Sequence, residues 1–331
     1  MQLTQKKSRR GDLLTAAAVA MLLAVMAALL YTGSLTRQVT NMLIPTAVYI
    51  VMAVSLNLVV GLLGELSLGH AGFMSVGLFS GCLVAIALTN TALPLMVRLP
   101  VSMLAGGLTA AVFGLLVGLP TLRLRGDYLA IVTLACGEII KNIITNLRVT
   151  GGALGLNTSA IYAGAKELLP YGAALVLLTV AVMLNLKRSK YGRAIMAIRD
   201  NRIAAESVGL SVTRYKLAVF VIAAFFAGCA GVLYGHSLAN IKAAAFDYNM
   251  SIEILVIVVL GGMGSVPGSV ISAIVLTVLP EALREVADYR MLVYAIVLIL
   301  VMQATNNPTM KRFFASAKEK LTPGRKERAA L

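Results

Sequence analysis

Eight stretches of this chain run for 19 to 32 residues without one Lys, Arg, Asp or Glu: Leu13–Thr36, Gln38–Gly64, Leu66–Val97, Leu99–Leu122, Leu168–Leu186, Leu217–Ile241, Ile254–Pro280 and Met291–Met310. A helix needs about 20 mostly apolar residues to cross a ~30 Å hydrocarbon core. A ninth stretch, Tyr128–Thr145, is interrupted only by Glu138 and Lys141. The 331 residues are 59% hydrophobic and 13% charged, about half the charge of a soluble domain. Disorder requires low hydrophobicity, and outer-membrane barrels show alternation over ~10 residues instead of long apolar runs. The pattern predicts an all-α, polytopic helical membrane protein with eight to ten crossings.

The distribution of charge orients it. Of 29 Lys and Arg, 21 fall on alternate connections: the N-terminus, 123–125, 187–216 and the tail after Met310. Seven fall on the intervening connections, and Lys141 lies inside a span. This is the positive-inside asymmetry; it predicts cytoplasmic termini and accounts for the net charge of +15 without nucleic acid. The expected organisation is a cytoplasmic segment 1–12, a membrane domain 13–310 with a cytoplasmic loop 187–216, and a basic tail 311–331. Phe313 and Phe314 before Thr322-Pro323-Gly324 suggest an interfacial helix in that tail. The basic start resembles a secretory signal, but the apolar run from Leu13 exceeds the 7–15 residues of a cleaved one and no A-x-A site follows. An uncleaved first span is expected. Cys82, Cys136 and Cys229 lie inside spans, far apart and without CxxC spacing, and read as small apolar fillers.

Two segments break their helices. Ile254–Pro280 would run ~40 Å as one helix, and its middle reads Gly261-Gly262-Met263-Gly264-Ser265-Val266-Pro267-Gly268. A single crossing would also put the basic tail outside, so two short helices, about 252–263 and 269–282, are expected. A similar break at Gly61-Leu62-Leu63-Gly64, leading to Gly69-His70-Ala71-Gly72, hints at paired half-repeats. Broken backbone at membrane depth is tolerated when it is buried in protein or lines a cavity. That makes Gly261, Gly262 and Gly264 candidates for the translocation path or for close helix packing. His70 is a candidate for a cytoplasmic gate, with a packing role as the alternative.

The chain has no Gly-Lys dipeptide and hence no Walker A loop; any ATP chemistry belongs to another subunit. No metal-ligand spacing or nucleophile motif appears, so the chain does not read as an enzyme. Glu138, Lys141, Asn142 and Thr145 fall at i, i+3, i+4 and i+7, one face of a helix. Intramembrane ionisable groups usually face a bundle interior or an aqueous cavity, so this face is a candidate wall of the path; an internal Glu138–Lys141 ion pair that fixes packing is the other reading. In 187–216, Asp200 and Asn201 are candidate N-caps and Gly209 a stop, predicting a short helix near 202–208. Ile195, Ile198, Ile203 and Val208 supply apolar anchors beside the cations, a pattern that suits docking to a protein.

Taken in order, several motifs resemble those of the inner-membrane permease subunits of branched-chain amino acid ABC importers, over about residues 40–305 and nearer the M-type than the H-type. They are Gly69-His70-Ala71-Gly72-Phe73, Arg123-Leu124-Arg125-Gly126-Asp127-Tyr128, Thr133-Leu134-Ala135-Cys136-Gly137-Glu138-Ile139-Ile140, Thr150-Gly151-Gly152 with Gly155-Leu156, Arg199-Asp200-Asn201 with Ala204-Ala205-Glu206 and Gly209, and Gly261-Gly262-Met263-Gly264-Ser265 with Gly268. The resemblance implies the ABC importer permease fold in a bacterial inner membrane. It implies as partners a second permease, two cytoplasmic ATPases that bind ATP and Mg, and an extracytoplasmic binding protein, with the chain itself holding no cofactor. It implies that Ala204-Ala205-Glu206-x-x-Gly209, with Arg199, Asp200, Asn201 and Ile203 beside it, is the element that couples to an ATPase. The outer loops 146–168 and 236–251 would receive substrate. A urea or short-amide permease, and an ion-coupled transporter using Glu138 or Glu65, are the competing expectations.

Overall fold

The computed structural model describes residues 2–33, 36–89, 93–124, 126–282 and 299. The expected span Met291–Met310, apart from Ile299, and the basic tail lie outside the described residues. Residues up to 277 form one compact unit and those from 278 a second; of the second, the last turn of a helix is described. The elements are α1 (Gln2–Tyr31), α2 (Arg37–Asn57, continued as a π-helical turn Leu58–Leu63), α3 (His70–Thr89), α4 (Leu95–Thr121), α5 (Asp127–Asn146), α6 (Ala165–Arg188), α7 (Lys190–Asp200), α8 (Arg202–Ser207), α9 (Val212–His236), α10 (Tyr248–Gly261) and α11 (Val266–Ala282). Seven helical stretches are long and apolar enough to cross a membrane, and Ala16–Tyr31 and Val266–Pro280 are shorter apolar helices. The protein is a multi-pass, all-α membrane protein.

Small residues set the packing. On α4, Gly106, Ala110, Gly114 and Gly118 recur every four residues, a spacing that lets helix backbones approach closely. They meet α9, where Gly114 faces Ala224 and Gly107 faces Cys229 and Phe225. Opposite them, Leu104, Leu108, Val112, Leu115, Leu116 and Leu119 are exposed, an apolar stripe suited to lipid. α2 is buried from Leu43 to Leu63 apart from partly covered Pro45 and Tyr49. Cys82 and Cys229 are buried and Cys136 is partly covered, all as free thiols.

Helix connectivity gives the bundle two ends. α6 ends and α9 begins at the end that carries α7 and α8. At the opposite end the loops after α5 and α9 join in a two-stranded antiparallel ladder, β1 (Leu156–Asn157) against β2 (Asn240–Ile241). Thr158 reinforces it, its N–H donating to Ala239 O at 2.9 Å and its hydroxyl to Leu238 O at 2.6 Å.

Both expected breaks occur, with shifted bounds. α10 starts at Tyr248 rather than near 252 because the Asp247 carboxylate accepts from Met250 N–H at 3.2 Å and caps it. α11 starts at Val266 rather than 269 because Pro267 falls in its first turn, where a missing N–H costs nothing. The turn between them uses left-handed backbone at Gly262 (φ 87) and Gly264 (φ 81). The uncharged run 66–97 is not one helix. Gly64, at φ 77, ends the π-turn, and residues 64–69 carry no helix until His70.

Candidate functional site

α5 is seated on the start of α3 by backbone proximity. A Cβ at Gly72 would lie 2.9 Å from Gly137 Cα, and Leu68 N–H donates to Thr133 Oγ1 at 3.1 Å. This contact turns Leu129, Ala130, Thr133, Ile140 and Ile144 inward and leaves Tyr128, Ile131, Ala135, Ile139 and Asn142 on an exposed stripe. Glu138 and Lys141 pair with each other at its edge, with 26% and 18% of their side chains exposed. Thr145 is partly covered, and its hydroxyl donates to Lys141 O at 2.8 Å. The four polar residues therefore share a face, and the ion pair and the outward orientation coexist.

His70 is 2% exposed, with Nε2 2.8 Å from Ser55 Oγ and its ring edge-on to Phe73. Gly261 packs on Gly268, where a Cβ would lie 2.5 Å from the Gly268 carbonyl carbon. Gly264 sits against Gly61, and Gly262 makes the turn. Beside α3 lies a cavity of about 190 Å³. Val76, Phe79, Phe113, Ile140 and Ile144 line it, with no charged residue. The Ser80 and Thr150 hydroxyls at its wall already donate to Val76 O (2.7 Å) and Ile144 O (2.6 Å).

At the other end of the bundle the loop 187–216 is a folded platform. Ser189 caps α7, its Oγ accepting from Gly192 N–H at 3.0 Å, and Asn201 caps α8, its Oδ1 accepting from Ala204 N–H at 3.1 Å. Gly209 leaves α8 at φ 85. The α8 helix lies where its caps place it. Ile198, Ala205 and Val212 form a buried cluster with Leu210 and Tyr215 packed against it, and Ile195 is 2% exposed. Ile203 and Val208 instead project outward, 80% and 76% exposed. Glu206 pairs with Arg202 at 2.9 Å on the exposed side, and Ala204 is exposed beside it. Removing the Asn201 cap should cost about 1 kcal/mol. An Asn201→Ala chain is thus expected to exchange the amides of 203–206 about fivefold faster in hydrogen-exchange mass spectrometry, with the membrane helices unchanged.

The structure also joins Lys216, Asn57 and Lys187, which the sequence pattern did not single out, to partners far along the chain. Lys216 pairs with Glu65, their side chains 5% and 14% exposed. Asn57 and Lys187 bind the α10–α11 turn. The only signal for these residues in the sequence is a polar side chain in or beside an apolar run; the partners lie 77 to 212 residues away. Among the described residues no cluster of His, Cys, Asp or Glu could hold a metal ion.

The family of branched-chain amino acid transport system permease components matches residues 38–302. The high-affinity branched-chain amino acid transport system permease protein LivM of Salmonella typhimurium is 36% identical over 296 residues, covering 78% of this chain and 66% of that protein. The LivM protein of Escherichia coli K12 is 37% identical over 290 residues, with the same coverage. The LivH permease protein of Salmonella typhimurium is 32% identical over 126 residues, 37% of this chain and 40% of that one. The chain thus spans just under two thirds of the LivM proteins' length. No solved structure matches it.

Proposed function

Because this chain belongs to the family of branched-chain amino acid transport system permease components, we propose that it is one of two permease subunits of an ATP-driven importer of branched-chain, hydrophobic amino acids. It would sit in a bacterial inner membrane with its termini and the α7–α8 platform in the cytoplasm, as the charge asymmetry argues. Two ATPase subunits supply nucleotide hydrolysis from the cytoplasm. A binding protein delivers substrate at the opposite end, where the β1–β2 ladder joins the two outer loops. The exposed stripe of α5, with Asn142 on it and Glu138, Lys141 and Thr145 partly covered along its edge, faces the second permease and the path. Polar groups at that depth are costly against lipid, and a partner or water removes the cost. The broken helices around Gly61–His70 and Gly261–Gly264 flank that path at its cytoplasmic end.

The observation that carries the reading is the platform itself. Two isoleucines of the loop are buried to hold it, whereas Ile203 on the six-residue helix α8 and Val208 at its C-cap are spread on the surface. Exposed aliphatic side chains on a rigid helix are what a groove in a partner would take. Arg199, Asp200, Asn201, Ala204, Ala205, Glu206 and Gly209 frame that helix.

In proteoliposomes holding the assembled importer with its binding protein, Ile203→Ser and Glu206→Lys are each expected to lower ATP-driven leucine uptake at least tenfold. Stimulation of ATP hydrolysis by the binding protein should be lost in parallel. Uptake within twofold of wild type would reject the docking role of α8. The isolated chain is expected to accumulate no solute under a proton or sodium gradient; concentrative flux from it would support the ion-coupled alternative.

A further inference from the structure

The tie between the α7–α8 platform and the membrane bundle is a connected set of hydrogen bonds. Arg199, near the end of α7, donates from Nη1 to Gly61 O at 3.0 Å. Its Nε and Nη2 are held by Asp200 Oδ1 at 3.1 Å. Gly61 belongs to the π-helical turn that ends α2. Lys187, at the end of α6, donates from Nζ to Gly264 O at 2.9 Å, at the tip of the α10–α11 turn. Asn57 stands between these carbonyls and is fully buried. Its Oδ1 accepts from Gly264 N–H at 2.7 Å, and its Nδ2 donates to Ser269 Oγ at 2.9 Å and Ser265 O at 3.2 Å. A Cβ at Gly61 would overlap both Asn57 Oδ1 and Gly264 N. The end of α2 and the α10–α11 turn are therefore one packed unit, and cations from either side of Ser189 grip it.

We infer that Arg199, Lys187 and Asn57 form the linkage through which a displacement of α7 and α8 moves both helix breaks together. Arg199 is then a positioning residue for transport, turned toward the membrane bundle, while Ile203 and Glu206 face the ATPase. This inference rests on the reading of α8 as the docking helix. Three physical points support it. Carbonyls at the ends of broken helices lack intrahelical partners, so a guanidinium or ammonium bound there stays attached as its own helix moves. A π-turn is rarer and less well bonded than the α-helix around it, so α2 rearranges at that turn at least cost. And with glycine against glycine there is no side chain to deform, so a shift of one break passes to the other.

Two measurements on the full chain test this. With Cys136→Ser removing the one partly exposed thiol, a nitroxide is placed at the exposed hairpin tip through Met263→Cys, and the protein is studied in lipid nanodiscs without ATPases. Arg199→Gln is expected to raise the probe's mobility, Asn57→Asp to raise it further because both donors are lost, and Arg199→Lys to restore most of the wild-type spectrum. A spectrum unchanged by Arg199→Gln and Asn57→Asp would overturn the linkage, whatever transport assays give. In the assembled importer, Lys187→Gln, which removes the grip on Gly264 O, should keep the ATPases bound and hydrolysis within twofold of wild type, yet lower leucine uptake per ATP at least tenfold. Uptake per ATP within twofold of wild type, or loss of the ATPases from the variant complex, would also overturn it. A mobile probe combined with no ATP-driven uptake by the wild-type assembly would sustain the linkage and reject only the preceding reading.

Discussion

Gly77→Val is expected to remove the folded protein from the membrane. Gly77 on α3 lies against Gly228 on α9, so closely that a Cβ there would overlap the Gly228 backbone. The contact extends to α4. A Cβ at Gly228 would meet Gly106 O at 2.6 Å and Gly107 Cα at 3.1 Å, and one at Gly106 would overlap Gly77 O. Three helices thus touch through backbone, and the atoms nearest a Cβ at Gly77 are all Gly228 backbone, with no side chain among them to rotate away. Extra methylenes in a well-packed core cost about 1–3 kcal/mol when neighbours can shift. Here α3, α4 and α9 must separate, and every dispersion contact along their seams weakens with the gap. A loss of about 4 kcal/mol, in the exceptional range for one substitution, is expected. The measurement is the yield of monodisperse protein in mild detergent and its melting midpoint; a midpoint unchanged by Gly77→Val would refute the packing argument. Gly164→Ala is the control: a Cβ at Gly164 meets nothing within 4 Å and its φ is −73, so its midpoint should fall by no more than about 3 °C, the effect of about 0.5–1 kcal/mol for a poorer N-cap on α6.

Lys216→Met is expected to be the most damaging change to a charge. Glu65, on the irregular segment after α2, and Lys216, on the second turn of α9, pair where both are nearly covered. Removing the ammonium leaves a carboxylate in a low-dielectric site without its counter-charge. Breaking a buried pair in this way costs about 3–5 kcal/mol, and the position near the end of the bundle argues for the lower figure. Glu65→Gln added to Lys216→Met should recover at least half of the lost stability, because the uncompensated charge disappears. Arg202→Met, which breaks the exposed pair with Glu206, should cost no more than about 0.5 kcal/mol. Equal losses from the two single substitutions would show that coverage does not govern these pairs.

The features legible in the sequence are those whose causes are local. Asn201 and Gly209 bound α8 because a cap acts over three or four residues. The breaks at Gly61–Gly64 and Gly261–Gly264 could be seen because glycine changes backbone cost wherever it stands. Glu138 and Lys141 had to share a face at i, i+3. Even so, Pro267 lies in the first turn of α11 instead of breaking it, and Asp247 lengthens α10 by a turn. The direction of the Glu138 face was not legible, since it depends on Gly72 meeting Gly137 across two helices. Nor were the fates of four similar side chains in one loop: Ile195 and Ile198 are buried, Ile203 and Val208 exposed.

What the sequence by itself determined is the all-helical, multi-pass character of the chain, the approximate places of the described apolar helices, and the ends of α8. These follow from transfer free energies and backbone preferences that each segment carries alone. The tertiary structure decided which polar groups meet, with Asn57 on the α10–α11 turn, Lys216 on Glu65 and Arg199 on Gly61, and which glycines are contact points instead of hinges. Those pairings join residues 138 to 212 positions apart. A donor or an uncovered backbone patch is satisfied by whatever the fold brings within 3 Å, and nothing in either partner's own neighbourhood specifies the other.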